Sequence, residues 1–149
     1  MSLADIEYLQ INQVLFSLTH AYESRMAAEE ACNKLGLRLS DCSVLMVLGQ
    51  FAPLNARQLS DLMDLDASTI SIYVQRLNGI GLVQREQDEE DRRTWWLTLT
   101  ERGQKTARDV IAGTVAYSRD FLRALNEKEQ ETLHRLLLKV SRNLGYEWQ

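Results

Sequence analysis

The stretch that decides the fold is residues 55–102, NARQLSDLMDLDASTISIYVQRLNGIGLVQREQDEEDRRTWWLTLTER. Asn55, followed three residues later by Gln58, is typical of a capping box and predicts a helix of about two turns. Asp66 is a second N-cap and predicts another helix over about 67–78. Two short helices separated by three or four residues are typical of a helix-turn-helix, whose second helix enters the DNA major groove.

The second of these helices is predicted to have one apolar and one polar face. Apolar residues recur with the spacing of a buried helix face, and we expect them to pack inward: Ile70, Tyr73, Val74 and Leu77. The opposite face carries Ser68, Thr69, Ser71, Ile72, Gln75 and Arg76. Hydroxyl groups and backbone N–H groups at a helix start suit phosphate oxygens, and glutamine and arginine can reach base edges. An ordinary solvated face is the alternative for this helix taken alone.

A β-hairpin is predicted directly after the second helix. Residues 82–86 (LVQRE) and 94–99 (TWWLTL) have the β-branched and aromatic content of strands, and glycines precede the first strand. The residues between them, 87–93 (QDEEDRR), are all polar and form the predicted tip. A helix-turn-helix followed by such a hairpin, or wing, is a winged helix-turn-helix.

Helices are also predicted before this stretch. Residues 5–35 carry an apolar stripe and predict one long helix, ended by Gly36 as a left-handed cap. Ser40 is predicted to cap a second helix that runs to about Gln50, ahead of the chain's one proline.

Two further helices are predicted after the hairpin. Thr100 caps a long helix over about 101–124, and Asn126 with Glu129 forms a capping box for a last helix to about Leu144. We expect the apolar residues of that last helix to face inward: Leu133, Leu136, Leu137, Val140 and Leu144. The first and the last two helices carry more apolar surface than the small central lobe can cover. We therefore expect a second copy of the chain to cover this apolar surface. The alternative is that these helices close a monomeric bundle.

Taken together, these residues resemble the MarR-type winged-helix transcription regulators. The shared pattern is D-x-S-T-I-S-x-x-V-x-R-L-x-x-x-G-L-V-x-R, then D-x-x-D-R-R, then L-T-L-T-x-x-G, over residues 66–103. With the flanking helices, the resemblance covers most of the chain. It implies a single domain over residues 1–149, mainly α-helical with a small β-hairpin. The winged DNA-binding lobe would span about 40–100, and the dimerisation helices about 5–35 and 101–149.

The resemblance also implies roles for individual residues. Residues 67–78 become the recognition helix, and Asp91 shapes the wing, from which Arg92 or Arg93 reaches the minor groove or its phosphates. Ile72 stands where many relatives carry a basic residue, and contact with a thymine methyl group is the expected substitute. The expected DNA contacts are Ser68, Thr69, Ser71, Ile72, Gln75, Arg76, Arg92 and Arg93.

The net charge of −4 opposes nucleic-acid binding, because a basic patch is the usual electrostatic footprint of that function. Even within residues 55–102, six arginines stand against nine carboxylates. We expect the distribution to compensate, with Arg57, Arg76, Arg92 and Arg93 converging on one surface. Arg57 thereby joins the expected DNA contacts, and the binding should weaken steeply with salt.

Regulation is expected to come from a small molecule. Members of the resembled family bind small, often aromatic or phenolic, ligands between the dimer helices and the winged lobe, which changes the spacing of the recognition helices. The candidate pocket residues are Tyr22, Met26, Met46, Phe51 and Trp95. Ordinary core packing is the alternative for each of them.

Neither metal nor cofactor binding is predicted. Cys32 and Cys42 form neither a CxxC motif nor a disulfide framework, and His20 and His134 are too far apart in sequence for metal-ligand spacing. We interpret Cys42 as a buried structural thiol in preference to a redox-active one.

Other function classes are not expected, because the sequence lacks the motifs that are typical of them. The sequence has no G-x-S-x-G, P-loop, G-x-G-x-x-G or HExxH motif, so we do not expect an enzyme. It has neither an apolar run of roughly 18 residues nor a signal sequence, so we expect a soluble cytoplasmic protein without a membrane partner. The predicted function is a sequence-specific DNA-binding transcription regulator, a homodimeric, ligand-responsive repressor on a pseudo-palindromic operator. The alternative is a dimeric winged-helix module that binds a protein partner instead of DNA.

Overall fold

The computed structural model describes residues 3–28, 30–34 and 36–143, and the side chains of 5–24, 32–34 and 36–143. The elements are α1 Leu3–Ala28, α2 Glu30–Lys34, α3 Leu39–Phe51, β1 Leu54–Asn55, α4 Ala56–Met63, α5 Ala67–Gly79, β2 Val83–Gln87, β3 Trp95–Leu99, α6 Glu101–Phe121 and α7 Glu127–Asn143. The predicted fold, mainly helical with a small β-hairpin, is confirmed. The chain divides into one compact unit up to Thr114 and a second from Val115 onward. Within the described ranges, no helix combines the length and the apolar character needed to span a membrane.

The helix-turn-helix is formed as its caps predict. Asn55 Oδ1 accepts from the Gln58 backbone N–H, and Gln58 Oε1 accepts from the Asn55 N–H, both at 2.9 Å. After α4, Asp64 adopts a left-handed conformation (φ 50°), which turns the chain. Asp66 then caps α5 by accepting from the Thr69 N–H at 2.9 Å. Both helices of the motif therefore begin at the residues that the sequence predicts.

The predicted wing is confirmed, and it belongs to a three-stranded antiparallel sheet with the strand order β1-β3-β2. In the β2–β3 hairpin, Val83 pairs with Leu99 and Gln87 pairs with Trp95. Strand β1 was not predicted, because two residues are too short to produce an alternating pattern. It pairs with β3 and so attaches the start of the helix-turn-helix to the wing.

The core of the first unit lies between α3, α4, α5 and the sheet. Its fully buried side chains include Leu45, Leu48, Leu59, Ile70, Leu77 and Leu97. On α5, Ile70, Val74 and Leu77 are buried as predicted, and Tyr73 is half-buried against the same cluster. The opposite face of α5 is thereby held outward.

One prediction on the N-terminal side needs correction. The helix predicted over 5–35 is helical in α1 and α2, while Glu29 and Leu35 lie outside the described residues. The cap of α3 is Arg38, not Ser40, because the Asp41 carboxylate accepts from the Arg38 N–H at 2.9 Å and starts the helix earlier. The prediction for Gly36 is confirmed, since its φ of +65° is left-handed.

The interpretation of Cys42 as a thiol is wrong in this structure. Cys32 and Cys42 are joined as a disulfide between α2 and the first turns of α3, with their Cα atoms 6.7 Å apart. The turn at Gly36 brings the two helices together, which the spacing of ten residues alone does not indicate. No group of three or more His, Cys, Asp or Glu side chains is positioned to hold a metal ion within the described part of the chain.

The helices after the wing begin at the predicted caps. Thr100 Oγ1 accepts from the Gly103 N–H at 3.0 Å and donates to the Gly81 carbonyl at 2.8 Å. Asn126 and Glu129 exchange capping hydrogen bonds of 2.8 and 3.1 Å. Helix α6 ends at Phe121 and not near residue 124, because the chain tightens into turns such as Leu125 N–H to Leu122 C=O at 2.9 Å.

The prediction that the apolar side chains of α7 face inward is wrong for the single chain. None of the residues of α7 is buried, and Leu136, Leu137 and Val140 are each more than half exposed. Leu133 is half-buried, and Leu144 lies outside the described residues. Within the described part of the chain, this stripe is therefore open to solvent.

Candidate nucleic-acid interface

The start of α5 is organised by the carboxylate of Asp66. This group accepts from the Thr69 N–H at 2.9 Å, from Thr69 Oγ1 at 2.7 Å and from Ser68 Oγ. These bonds hold the pKa of Asp66 well below its ordinary value of 3.8, and the bond from the Ser68 hydroxyl contributes most to that lowering. The hydroxyl hydrogens of Ser68 and Thr69 are thus directed at Asp66, and so is the Thr69 backbone N–H.

The middle of the same face is open. Ser71 and Gln75 are exposed, and Ile72 is 63% exposed although it is apolar. An apolar side chain on an otherwise polar helix face contributes little when solvated, and it fits the expected contact with a thymine methyl group. These three side chains share one surface with Ser68 and Thr69.

Arg76 differs from the other predicted DNA contacts because it is paired within the protein. Its Nη2 lies 3.1 Å from Oδ2 of Asp41, a fully buried carboxylate, and the Arg76 side chain is 31% exposed. The same Asp41 oxygen accepts from the Arg38 N–H. Sequence reasoning missed Asp41, since placing the cap at Ser40 gave this carboxylate no role. Arg76 therefore ties α5 to the first turn of α3.

The tip of the wing is held by two aspartates. Asp91 accepts from the Arg93 N–H at 3.0 Å and from Thr94 Oγ1 at 2.9 Å. Asp88 accepts from the Asp91 N–H at 2.7 Å and from Trp96 Nε1, also at 2.7 Å. These bonds, with that from the Asp91 N–H the strongest, hold the pKa of Asp88 below its ordinary value. Sequence reasoning named Asp91 but missed Asp88, whose indole partner lies eight residues away.

The cations of the lobe fall into two groups. Arg76 is paired with Asp41, and the Arg85 guanidinium lies 5.5 Å from the centre of the Trp95 ring. Within the described residues, the guanidinium groups of Arg57, Arg92 and Arg93 form no ion pair, and all three residues are exposed. The exposed arginines at the wing tip stand on a loop whose backbone is fixed by Asp88 and Asp91.

The predicted ligand residues have varied environments. Tyr22 and Met46 are half-buried, Met46 Sδ accepts from Thr114 Oγ1 at 3.3 Å, and the side chain of Met26 lies outside the described residues. Phe51 and Trp95 are 38% and 42% exposed. A cleft of about 380 Å³ in the first unit is lined by other residues: Leu48, Gly49, Ala52, Pro53, Thr98, Leu99, Gln104, Ala107, Arg108 and Ile111.

Known proteins are similar to this chain in both sequence and fold. The family model described as MarR matches residues 37–95, which include the helix-turn-helix and most of the wing. The chain is 26% identical over 130 residues to the HTH-type transcriptional regulator MgrA of Staphylococcus aureus, covering 82% of this chain and 88% of MgrA.

Solved structures extend the similarity to the flanking helices. A probable transcriptional regulator from Pseudomonas aeruginosa is 32% identical, with a TM-score of 0.73 over 87% of this chain and 96% of that chain. AbsC, a MarR family transcriptional regulator from Streptomyces coelicolor, shares the fold at 24% identity, with a TM-score of 0.81 and 97% of each chain covered. With its winged helix-turn-helix and this similarity over nearly its whole length, the chain belongs to the MarR family of transcription regulators.

Proposed function

We propose that the protein is a homodimeric repressor that binds a pseudo-palindromic operator and releases it when a small aromatic or phenolic ligand binds. The observation that carries the proposal is the presence, in one lobe, of an open polar face on α5 and a hydrogen-bonded wing tip with two exposed arginines, whose guanidinium groups form no ion pair among the described residues. A helix face of this kind fits the major groove, and arginines on a wing fit the narrower minor groove.

The two groups of side chains have different tasks in this proposal. In the complex, Ser71, Ile72 and Gln75 face base edges. Ser68 and Thr69 contact the DNA backbone by turning their hydroxyl hydrogens from Asp66 to a phosphate oxygen, which can only accept. Arg57, Arg92 and Arg93 bind phosphates or the minor groove. Arg76 acts mainly by holding α5 in place through Asp41, because its charge is already paired.

The proposal of a dimer rests on exposed apolar side chains at both ends of the chain. On α1, Tyr8 and Phe16 are each 73% exposed, and Ile11, Val14 and Leu15 are at least half exposed. On α7, three apolar residues are more than half exposed. Burying one such side chain gains about 1.5–3 kcal/mol, so several of them together favour a second copy as cover. The helices over about 5–35 and 101–149 would then be the dimerisation region of one MarR-type domain, with the winged lobe over about 40–100.

The proposed dimer has a direct test in Val140→Asp, with Lys139→Asp as the matched control. Both positions are exposed on α7, but only Val140 belongs to the apolar stripe. Sedimentation velocity of the full chain should show a dimer for the wild type and the control, and dissociation for Val140→Asp. A wild-type monomer at micromolar concentration contradicts the proposal.

The proposed DNA binding is tested by the salt dependence of the affinity. Fluorescence anisotropy with duplexes from the protein's own upstream intergenic DNA should give a steep negative slope of log K against log salt. Arg92→Ala or Arg93→Ala should reduce the magnitude of that slope by about one. Arg135→Ala, an exposed arginine on α7, should leave it unchanged.

A flat salt response, or no binding, would favour a winged-helix module that meets a protein partner. The net charge of −4 favours this second function, because a net negative charge opposes binding to DNA. The inducer is tested separately, because a phenolic acid that binds the folded protein must raise its melting temperature. A ligand that raises the melting temperature but leaves operator affinity unchanged contradicts the proposed release.

A further inference from the structure

The disulfide lies next to the ion pair that holds the recognition helix. Cys32 is 8% exposed on α2, and Cys42 is fully buried in α3. The residue before Cys42 is Asp41, whose carboxylate contacts Arg76 of α5 at 3.1 Å. The disulfide and the ion pair that holds the recognition helix therefore both involve the first turns of α3.

Asp41 depends strongly on that contact. It is fully buried, its Oδ2 contacts Arg76 and the Arg38 N–H, and its Oδ1 has no hydrogen-bond partner among the described residues. Within the same residues, Nη1 of Arg76 is likewise buried without a partner. A buried carboxylate with so few partners requires its counter-ion, so a shift in the first turn of α3 acts directly on α5.

We propose that Cys32 and Cys42 form a thiol–disulfide switch that sets how firmly Asp41 holds Arg76, and hence how tightly the protein binds DNA. The part of this inference that concerns affinity rests on the proposed function. In the disulfide form, α2 restrains the first turns of α3 and Asp41 is fixed against Arg76. In the dithiol form the two sulfurs separate, the first turn of α3 gains freedom, and α5 is less well ordered.

The reducing partner is a low-molecular-weight thiol. Its thiolate attacks Sγ of Cys32, which is the more exposed residue of the two. The S–S bond breaks, and Cys42 leaves as a thiolate that takes up a proton. A second thiol attacks the reductant's sulfur in the mixed disulfide and frees Cys32, which is also protonated. Two electrons and two protons reach the protein, and two reductant molecules leave as their own disulfide. Oxidation by a small disulfide reverses these steps.

The disulfide form should bind DNA more tightly, because its recognition helix is already ordered before binding. Coupling between two sites in proteins changes affinity by about 5- to 150-fold, so at least a fivefold weaker Kd is expected after reduction. Hydrogen exchange of the amides in residues 67–79 should be faster in the reduced form, with or without DNA.

The experiment uses the full wild-type chain, either oxidised by glutathione disulfide or reduced by dithiothreitol. Alkylation after denaturation should find no free thiols in the first sample and two in the second. Amide exchange of 67–79 and DNA anisotropy are then measured on both. Two free thiols in the oxidised sample overturn the proposal. Equal amide exchange of residues 67–79 in the oxidised and reduced samples, together with an equal Kd, also overturns it. So does tighter DNA binding by the reduced protein.

Two variants separate the switch from the rest of the molecule. Cys32→Ser should match the reduced wild type and ignore dithiothreitol. Asp41→Asn should keep the change in thiol count but lose the change in exchange on α5, which a disulfide with a purely structural role would not predict. Redox-dependent exchange without DNA binding in either state would contradict the proposed function and support the switch. DNA binding that is equal in the two states would overturn the switch alone.

Discussion

The ion pair between Asp41 and Arg76 predicts an unequal response to the loss of either partner. Asp41 is fully buried, whereas the Arg76 side chain is 31% exposed. Removing one partner of a buried pair costs about 3–5 kcal/mol, because the other charge is left without compensation. Arg76→Met leaves the buried carboxylate and should cost this full amount. Asp41→Asn leaves a guanidinium that can partly rehydrate, and its amide oxygen can still accept from the Arg38 N–H, so about 1–2 kcal/mol is expected.

These free energies translate into melting temperatures that are readily resolved. For a chain of this size, Arg76→Met should lower the melting temperature by about 6–20 °C and Asp41→Asn by about 2–8 °C. The double variant should cost less than the sum of the two, since it leaves neither charge unpaired. Scanning calorimetry without reductant and at one protein concentration gives all four values.

Either of two results would refute this reasoning. A larger loss for Asp41→Asn than for Arg76→Met would mean that burial does not control the cost. Additive losses in the double variant would mean that the two side chains do not interact in solution.

Two further predictions concern backbone packing and the wing. Gly103→Ala should destabilise the protein by more than about 1 kcal/mol despite the helix preference of alanine, because the new Cβ would lie 1.9 Å from the Leu82 carbonyl oxygen. Gly79→Ala, where no atom lies within 4 Å, is the control and should be neutral or stabilising in the same denaturation assay; equal losses would contradict the packing argument. The pKa of Asp88 is lowered in the folded protein, so the stability it gives the wing is present above the ordinary carboxyl value of 3.8 and is lost as the pH falls through the lower folded value. The Trp96 indole N–H resonance should shift in that acidic range, and the same shift in Asp88→Asn would assign it to another group.

Local signals explain why the helix-turn-helix and the wing could be predicted from the sequence. The helix caps form between residues three apart in the sequence, Asn55 with Gln58 and Asp66 with Thr69. The spacing in the sequence therefore directly predicts the contact in the structure. The wing is similarly local, because one strand leads to the next through a single polar tip. The ends of these elements differ from the predictions by at most one residue.

The missed features depend on contacts between distant parts of the chain. Asp41 and Arg76 are far apart in sequence, and neither residue carries a pattern that indicates the other. The pairing of Cys32 with Cys42 needs the turn at Gly36, and ten residues of separation match no common motif. Periodicity predicted the apolar stripe of α7 but could not say that a single chain would leave it exposed.

The acidic composition of the lobe is less of an obstacle to DNA binding than its charge count suggests. Asp66, Asp88 and Asp91 stand beside the proposed interface, yet each accepts at least two hydrogen bonds from its own loop or helix start. These hydrogen bonds shape the surface, and the donor groups around each carboxylate weaken the repulsion between that carboxylate and phosphate. The guanidinium groups of Arg92 and Arg93 form no ion pair among the described residues, so they remain available to DNA. Asp91→Asn should therefore weaken DNA binding by loosening the wing, although it removes a negative charge. Tighter binding by Asp91→Asn would show that repulsion outweighs the shaping of the wing.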